Sequence, residues 1–348
     1  MKTLIVGGGL SGLAVADALE TQGADYLLVE ARDRFGGRIL THRDETGYFD
    51  MGPAWFWPAQ PRIAALIARL NLQKFDQFAK GELTFENEQG QVQRGQGFSS
   101  MEGSWRLAGG LGTLTDTLAD NLPHDKKRLN SAVTQLERID GRCIATLSNG
   151  DKISANSVVL ALPPRVAAQI TFLPALSAAA TQTMQNVATW MAGQAKAVAV
   201  YDRPFWRDAG LSGDAMSRKG PMVEIHDASP ATGGPYALFG FIGVPPNGRA
   251  DQQVLRQHLK AQLIRLFGPK AAEPRQLYVK DWAFEPFTAT DADKAALYAH
   301  PTYGLPQAMT GLWDDRLHFA GSEVAPTFGG YIEGALEAAE NVISTLSL

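Results

Sequence analysis

The chain has 348 residues, 45% of them hydrophobic, with a single cysteine and 32 basic against 36 acidic side chains, a net charge of −4. That length suits about two domains with a sizeable core and excludes an internal disulfide framework. The slightly acidic balance excludes a global positive field, so neither nucleic acid nor an anionic membrane is an expected partner.

The opening "TLIVG" is a short apolar strand, "SGLAVADALETQG" has helical spacing and stops at Gly23, and "DYLLVE" is a second strand, together a βαβ unit. No export leader precedes this strand, and no apolar run reaches the ~18 residues of a membrane span, so a cytoplasmic protein is expected. "PRIAALIARLNL" (61–72) reads as a helix and "LTFENEQGQVQRG" as a hairpin turning near Gly90. "LAGGLGTLTDTLADNL" is a glycine-rich turn feeding a helix, followed by strands in "AVTQLERI", "CIATLSN" and the apolar "SVVLALPP", a central strand ending at Pro163-Pro164. Cys143 falls in the second of these strands. From about 171 to 304 aromatics and prolines thicken ("YDRPFW", "GPYALFGFIGVPP"), a texture that suits a second, mixed domain. "LHFAGSEVAPTFGGYIEGALEAAENVI" then returns to strand, glycine turn and helix. The fold expected is α/β: a discontinuous nucleotide domain from 1–70, 105–170 and 305–348, and an α+β substrate domain from 71–104 and 171–304.

Gly7, Gly9 and Gly12 spell GxGxxG after a strand and at the opening of a helix, with Leu10 and Ser11 inside the turn and Glu30 about 20 residues on. One glycine permits the tight turn, the next lets backbone approach a pyrophosphate, and the third lets the helix pack on the sheet with its N–H groups facing phosphates. Glu30 would accept from ribose hydroxyls. The pattern marks a dinucleotide without naming it.

Behind Glu30, "VEARDRFGGRILT" supplies Ala31, Arg32, the pair Gly36-Gly37, Arg38 and Thr41. Here the sequence resembles the flavin-containing amine oxidase family, the monoamine oxidase-like group, whose second strand is followed by an acid, a basic residue and GGRxxT. The paired glycines admit backbone close to a flavin and its diphosphate, and Arg38 offers a planar fork to phosphate oxygens. Further stretches match in order: "FDMGPAWFW", "RLAGGLGTLTDTLA", "VVLALPP", "AKAVAVYDRPFW" and "FAGSEVAPTFGGYIEGALEAA".

The resemblance implies FAD as cofactor in a Rossmann-like domain. It places Gly52, Pro53, Ala54 and Trp55 beneath the flavin, Val133 at the adenine through its backbone, and Trp282, Gly321, Gly330, Tyr331 and Ile332 around the ring. Glu323 would bond the ribityl or diphosphate portion; a helix cap is the plainer alternative. Lys196, the one basic residue in "AKAVAVY", would hold a water near flavin N5; the alternative is an edge-strand lysine that blocks aggregation. Membrane-bound relatives attach flavin through a cysteine that "DWAFEPFTATDADK" lacks, so FAD is expected to be non-covalent. Tyr331 matches one member of the family's aromatic pair, or is a packing aromatic. The other position falls near Ala292 or Asp293, with Trp282, Phe284 or Tyr298 as substitutes. The aromatics of "AWFWP" and Trp190 are pocket candidates.

The activity implied is hydride transfer from an amine α-carbon to flavin N5, giving an imine that hydrolyses to aldehyde or ketone plus ammonia or amine, with molecular oxygen as acceptor and hydrogen peroxide as product. Lys196 and Tyr331 are the catalytic candidates. A renalase-like or desaturase-like flavoprotein oxidising a reduced nicotinamide or another hydride donor is the alternative, and a non-catalytic flavin-binding interaction protein a third. A homodimer is a family expectation only. The histidines show no metal spacing, no metal site is expected, and His226-Asp227 reads as a surface turn because adjacent strand residues face opposite ways.

Overall fold

The computed structural model describes residues 2–45, 47–295, 297 and 299–346. Among these, the strands form three larger sheets and two two-stranded ribbons. The first sheet is parallel throughout, in the order Leu317–Phe319, Ser157–Leu160, Thr3–Val6, Tyr26–Val29 and Lys127–Arg128. Parallel neighbours need crossover connections and are covered on both faces, which is why "TLIV" and "YLLV" are apolar without alternation.

Side-chain alternation sorts this sheet into two cores. Ile5, Leu28 and Val159, in register across three strands, face Leu13 and Leu19 of the helix Leu10–Thr21 and Leu336 of the helix Ile332–Thr345. Their neighbours Leu4, Val29 and Val158 face the opposite way, toward Leu136, the buried thiol of Cys143, and Phe319. That second core is closed by a four-stranded sheet in the order Lys152–Ala155, Arg142–Leu147, Val133–Ile139 and Thr171–Leu173. The expected helix at 61–72 ends at Arg69, and the expected hairpin pairs Glu82–Glu86 with Val92–Gly95 around Gly90 at φ +82°.

The third sheet has seven strands: Gln276–Asp281, Ala195–Tyr201, Tyr236–Ile242, Met222–Asp227, Leu211–Ser217, Glu82–Glu86 and Val92–Gly95. One face packs on the helix Gln252–Phe267, which Asp251 caps by accepting from the N–H groups of Gln253 and Val254. Ala197 and Ala199 take that face. Val198 and Val200 take the other, against Phe49, Met51 and Trp55, and Lys196 shares their parity. None of the described helices is long and apolar enough to cross a membrane.

Candidate active site

The two glycine clusters meet. Gly9 and Gly36 form an isolated parallel bridge, and Gly36 N donates to Gly8 O at 2.8 Å. Gly7 sits at φ +108°, where a Cβ would lie 2.6 Å from Ala161 O, so glycine is required at this turn. A Cβ on Gly12 would fall onto Gly7 O, because the helix packs that closely on the strand. Glu30, 4% exposed, ties the turn from behind, accepting from Gly8 N at 2.7 Å and Arg32 N at 2.9 Å. Arg34, absent from the expected set, shapes the second turn by donating to the carbonyls of Phe35, Gly37 and Ile39.

Above these turns lies a cavity of about 550 Å³. Its wall gathers Gly7, Gly9, Leu10, Ser11, Glu30, Arg32, Gly36, Gly37, Arg38, Gly52 to Trp55, Lys196, Trp282, Gly321 and Gly330 to Ile332. Four expected residues are off the wall. Gly12 serves helix packing, Ala31 lies in the bend after the second strand, Val133 packs against the core beneath the four-stranded sheet, and Glu323 is fully buried behind Arg38.

Three features fit a dinucleotide. The helix Leu10–Thr21 opens with Gly9 as N-cap, without a side-chain cap and without an acid in its first turn, so its N-terminal N–H groups are free to meet an anion. A Cβ on Gly9 would meet nothing closer than Gly37 Cα at 3.9 Å, so the glycines leave open a cradle that side chains would fill. Glu323 Oε1 accepts from Arg38 Nη1 at 2.6 Å, and among the described residues its buried Oε2 has no donor, an acceptor left over just behind the wall residues Arg38 and Gly321. Arg38 is thus more engaged than its motif suggests, since Nη2 also donates to Ser322 Oγ at 3.0 Å. Glu323 caps nothing: the N-cap of Ile332–Thr345 is Tyr331.

Lys196 is interior in every sense. Its strand is bonded on both sides, so it is no edge lysine. The side chain is 5% exposed, Nζ donates to Gly52 O, and it stands 5.0 and 4.9 Å from the ring centroids of Phe239 and Phe241. Burial pulls its ammonium down to about 7 against the opposing pull of Asp50. Burial also raises the Asp50 carboxyl, whose Oδ2 has no partner among the described residues.

Tyr331 lines the cavity and is 40% exposed, stacked on His300 with centroids 4.9 Å apart and planes 10° off parallel. Trp190 meets the same imidazole edge-on at 4.9 Å. The position near Ala292 and Asp293 supplies no facing aromatic: Asp293 is buried and turned to Arg165 Nη1 at 2.6 Å. Of the three substitutes, Trp282 is on the wall, Phe284 is half-exposed and off it, and Tyr298 lies outside the described residues.

The His226-Asp227 expectation needs correction. Both lie in the strand Met222–Asp227 and are buried, not in a surface turn. They do face opposite ways, and each charge is satisfied inside: His226 bonds Asp214 and Glu224, both at 2.9 Å, and Asp227 accepts from Trp206 and Arg207. Glu224, Phe241, Met101, Gln194 and Thr288 reach the wall unforeseen. Only strand register reveals the first two: Phe241 pairs with Lys196 on one side and Glu224 on the other.

The chain matches the family of flavin containing amine oxidoreductases over residues 10–98 and 96–343. It is 23% identical to the probable flavin-containing monoamine oxidase A of Dictyostelium discoideum over 96% of this chain and 95% of that protein. Among solved structures, cyclohexylamine oxidase of Brevibacterium oxydans superposes at TM-score 0.82 and 21% identity, covering 99% of this chain and 98% of that one. Putrescine oxidase bound to putrescine gives TM-score 0.82 and 21% identity over 99% of both chains. With nearly the whole chain matched and its two glycine turns meeting beneath one cavity, the assignment follows: the chain belongs to the flavin containing amine oxidoreductases and is an FAD-dependent oxidoreductase.

Proposed function

We propose that the protein oxidises an amine at its α-carbon, yielding an imine that water hydrolyses to a carbonyl compound and ammonia or a smaller amine. Bound FAD would supply the hydride acceptor, with oxygen as terminal acceptor and hydrogen peroxide as product. The glycine turns, Glu30, Arg38 and Glu323 would hold the dinucleotide without a covalent link. The Trp55, Trp282, Phe241 and Tyr331 side of the cavity would strip water from the incoming amine, favouring the neutral form whose lone pair assists loss of the α-hydrogen. Lys196 carries the reading: a buried amine on the wall, near pH 7 in its titration and donating to Gly52 O, can hold a proton beside developing negative charge or release it. Structural likeness does not choose the substrate, because the two oxidases above superpose equally well.

The test is anaerobic mixing of the purified, FAD-loaded protein with a panel of primary and secondary amines and, separately, with NADH, following the visible flavin band. Bleaching by an amine supports the proposal. Bleaching by NADH alone moves the protein to the renalase-like alternative, and no bleaching by any donor leaves a binding role.

A further inference from the structure

Lys196, Phe241 and Glu224 are register partners on three consecutive strands of the seven-stranded sheet, so they form one row on the cavity side. At ~4.8 Å per strand, the ends of the row stand roughly 10 Å apart. Lys196 marks the reacting end. At the other end Glu224 Oε1 is held by His226 Nε2 at 2.9 Å and by Ser100 Oγ, while Oε2 has no partner among the described residues. His226 is clamped in turn by Asp214, which also accepts from Ser99 Oγ. Burial works against the imidazolium, but bonds to Asp214 and Glu224 outweigh it and raise it to about 9. The same imidazolium bond holds the Glu224 carboxyl below its usual range. The cluster thus sets one imidazole between two carboxyl groups and turns the second of them, Glu224, to the cavity. The space between the ends is walled by Phe241 and Trp55, surface that suits a hydrocarbon spacer and tolerates a passing cation.

We propose that Glu224 is a specificity residue for a second cationic group, and that the substrate is an α,ω-diamine or similar dication with a short aliphatic spacer, its neutral amine at Lys196 and its ammonium at Glu224. The proposal rests on the amine-oxidising reading above. It assigns opposite ionisation states to the two ends of one substrate: the apolar end deprotonates the reacting nitrogen, and the carboxylate keeps the distal one charged.

The FAD holoenzyme is assayed for oxygen uptake with 1,4-diaminobutane, butylamine and 4-amino-1-butanol, which share one spacer and differ in their far end. The expected kcat/KM favours the diamine by about 10- to 100-fold, the worth of one charge-assisted hydrogen bond in a partly dry site. Glu224→Gln should bring the diamine-to-butylamine ratio close to one, mainly through KM, and Glu224→Asp should restore part of it. If butylamine or the alcohol is oxidised as well as the diamine by the unmodified enzyme, the proposal is overturned while amine oxidation stands, whatever the variants do. Retention of the ratio in Glu224→Gln also overturns it. Failure of all three overturns the diamine proposal, while the wider amine panel above decides the amine-oxidising reading.

Discussion

Replacing Lys196 with methionine keeps the length of the side chain and deletes a charge that the fold resists. The ammonium titrates at about 7 in the folded protein against 10.5 in open chain. Because the folded value is depressed, the unfolded chain binds more protons between about pH 7 and 10.5, so the lysine's contribution to stability rises with pH across that window. Below pH 7 the buried charge costs the fold about 5 kcal/mol relative to a neutral amine, at about 1.4 kcal/mol per pH unit; by pH 10 the cost has shrunk to about 1 kcal/mol. Methionine removes that cost but leaves Gly52 O without its donor, a loss of about 1–3 kcal/mol at every pH. Lys196→Met should therefore be more stable than the parent at pH 6, by about 2–4 kcal/mol, and no more stable or slightly weaker at pH 10. The measurement is thermal unfolding of the holoenzyme by circular dichroism at fixed ionic strength, where each kcal/mol moves Tm by about 1–2 °C in a chain of this size. A difference between the two proteins that stays flat from pH 6 to 10 would refute the reasoning, since it would mean that Nζ keeps its hydration and is not depressed.

The same variant should retain FAD yet slow reoxidation of the reduced flavin by oxygen by roughly 10²- to 10³-fold, the size of a lost charge-stabilising donor. Stopped-flow mixing of photoreduced enzyme with oxygenated buffer reads this, and an unchanged rate removes Lys196 from the mechanism. Glu323→Gln keeps the shape but breaks the ion pair to Arg38 and weakens the acceptor at the unpartnered Oε2. FAD affinity should fall about 10-fold by fluorescence titration, and an unaltered Kd would place the flavin away from Glu323.

The glycine turns were legible because their determinants are local. GxGxxG and GGR are turns whose geometry follows from the glycines themselves, and strand–turn–helix order is written into "TLIVGGGLSGLAVADAL". Lys196 could also be read, since one cation in "AKAVAVY" contrasts with its surroundings. Its interior setting could not, because that depends on pairing with Tyr236–Ile242 and Gln276–Asp281, some 40 and 80 residues away. The same limit explains His226-Asp227. Alternation gave their opposite directions, but their burial depends on Asp214, Trp206 and Arg207, which no local pattern brings near. Glu224 sits unremarked in "GPMVEIHD"; it gains meaning only when register sets it opposite Phe241. The stacking of His300 on Tyr331 likewise joins a loop to a helix start.

The two halves of the cavity therefore handle charge in different ways. On the cofactor side Arg38 is paired with Glu323, and Arg32 is linked to Thr288 at 2.8 Å and Glu285 at 3.3 Å, so little cationic side chain is left unpaired for a diphosphate. On the proposed reading, recognition there would fall to backbone N–H groups and the uncapped helix end. The proposed substrate side differs: its two charged groups on the wall are side chains of the seven-stranded sheet. One is a lysine held near neutrality by burial, and the other is a carboxylate held ionised by His226. A sheet keeps such groups at fixed spacing while leaving each replaceable without disturbing its neighbours' backbone bonds, so exchange of a single residue in "VEIH" can alter which amine fits while the glycine turns and their cofactor stay as they are.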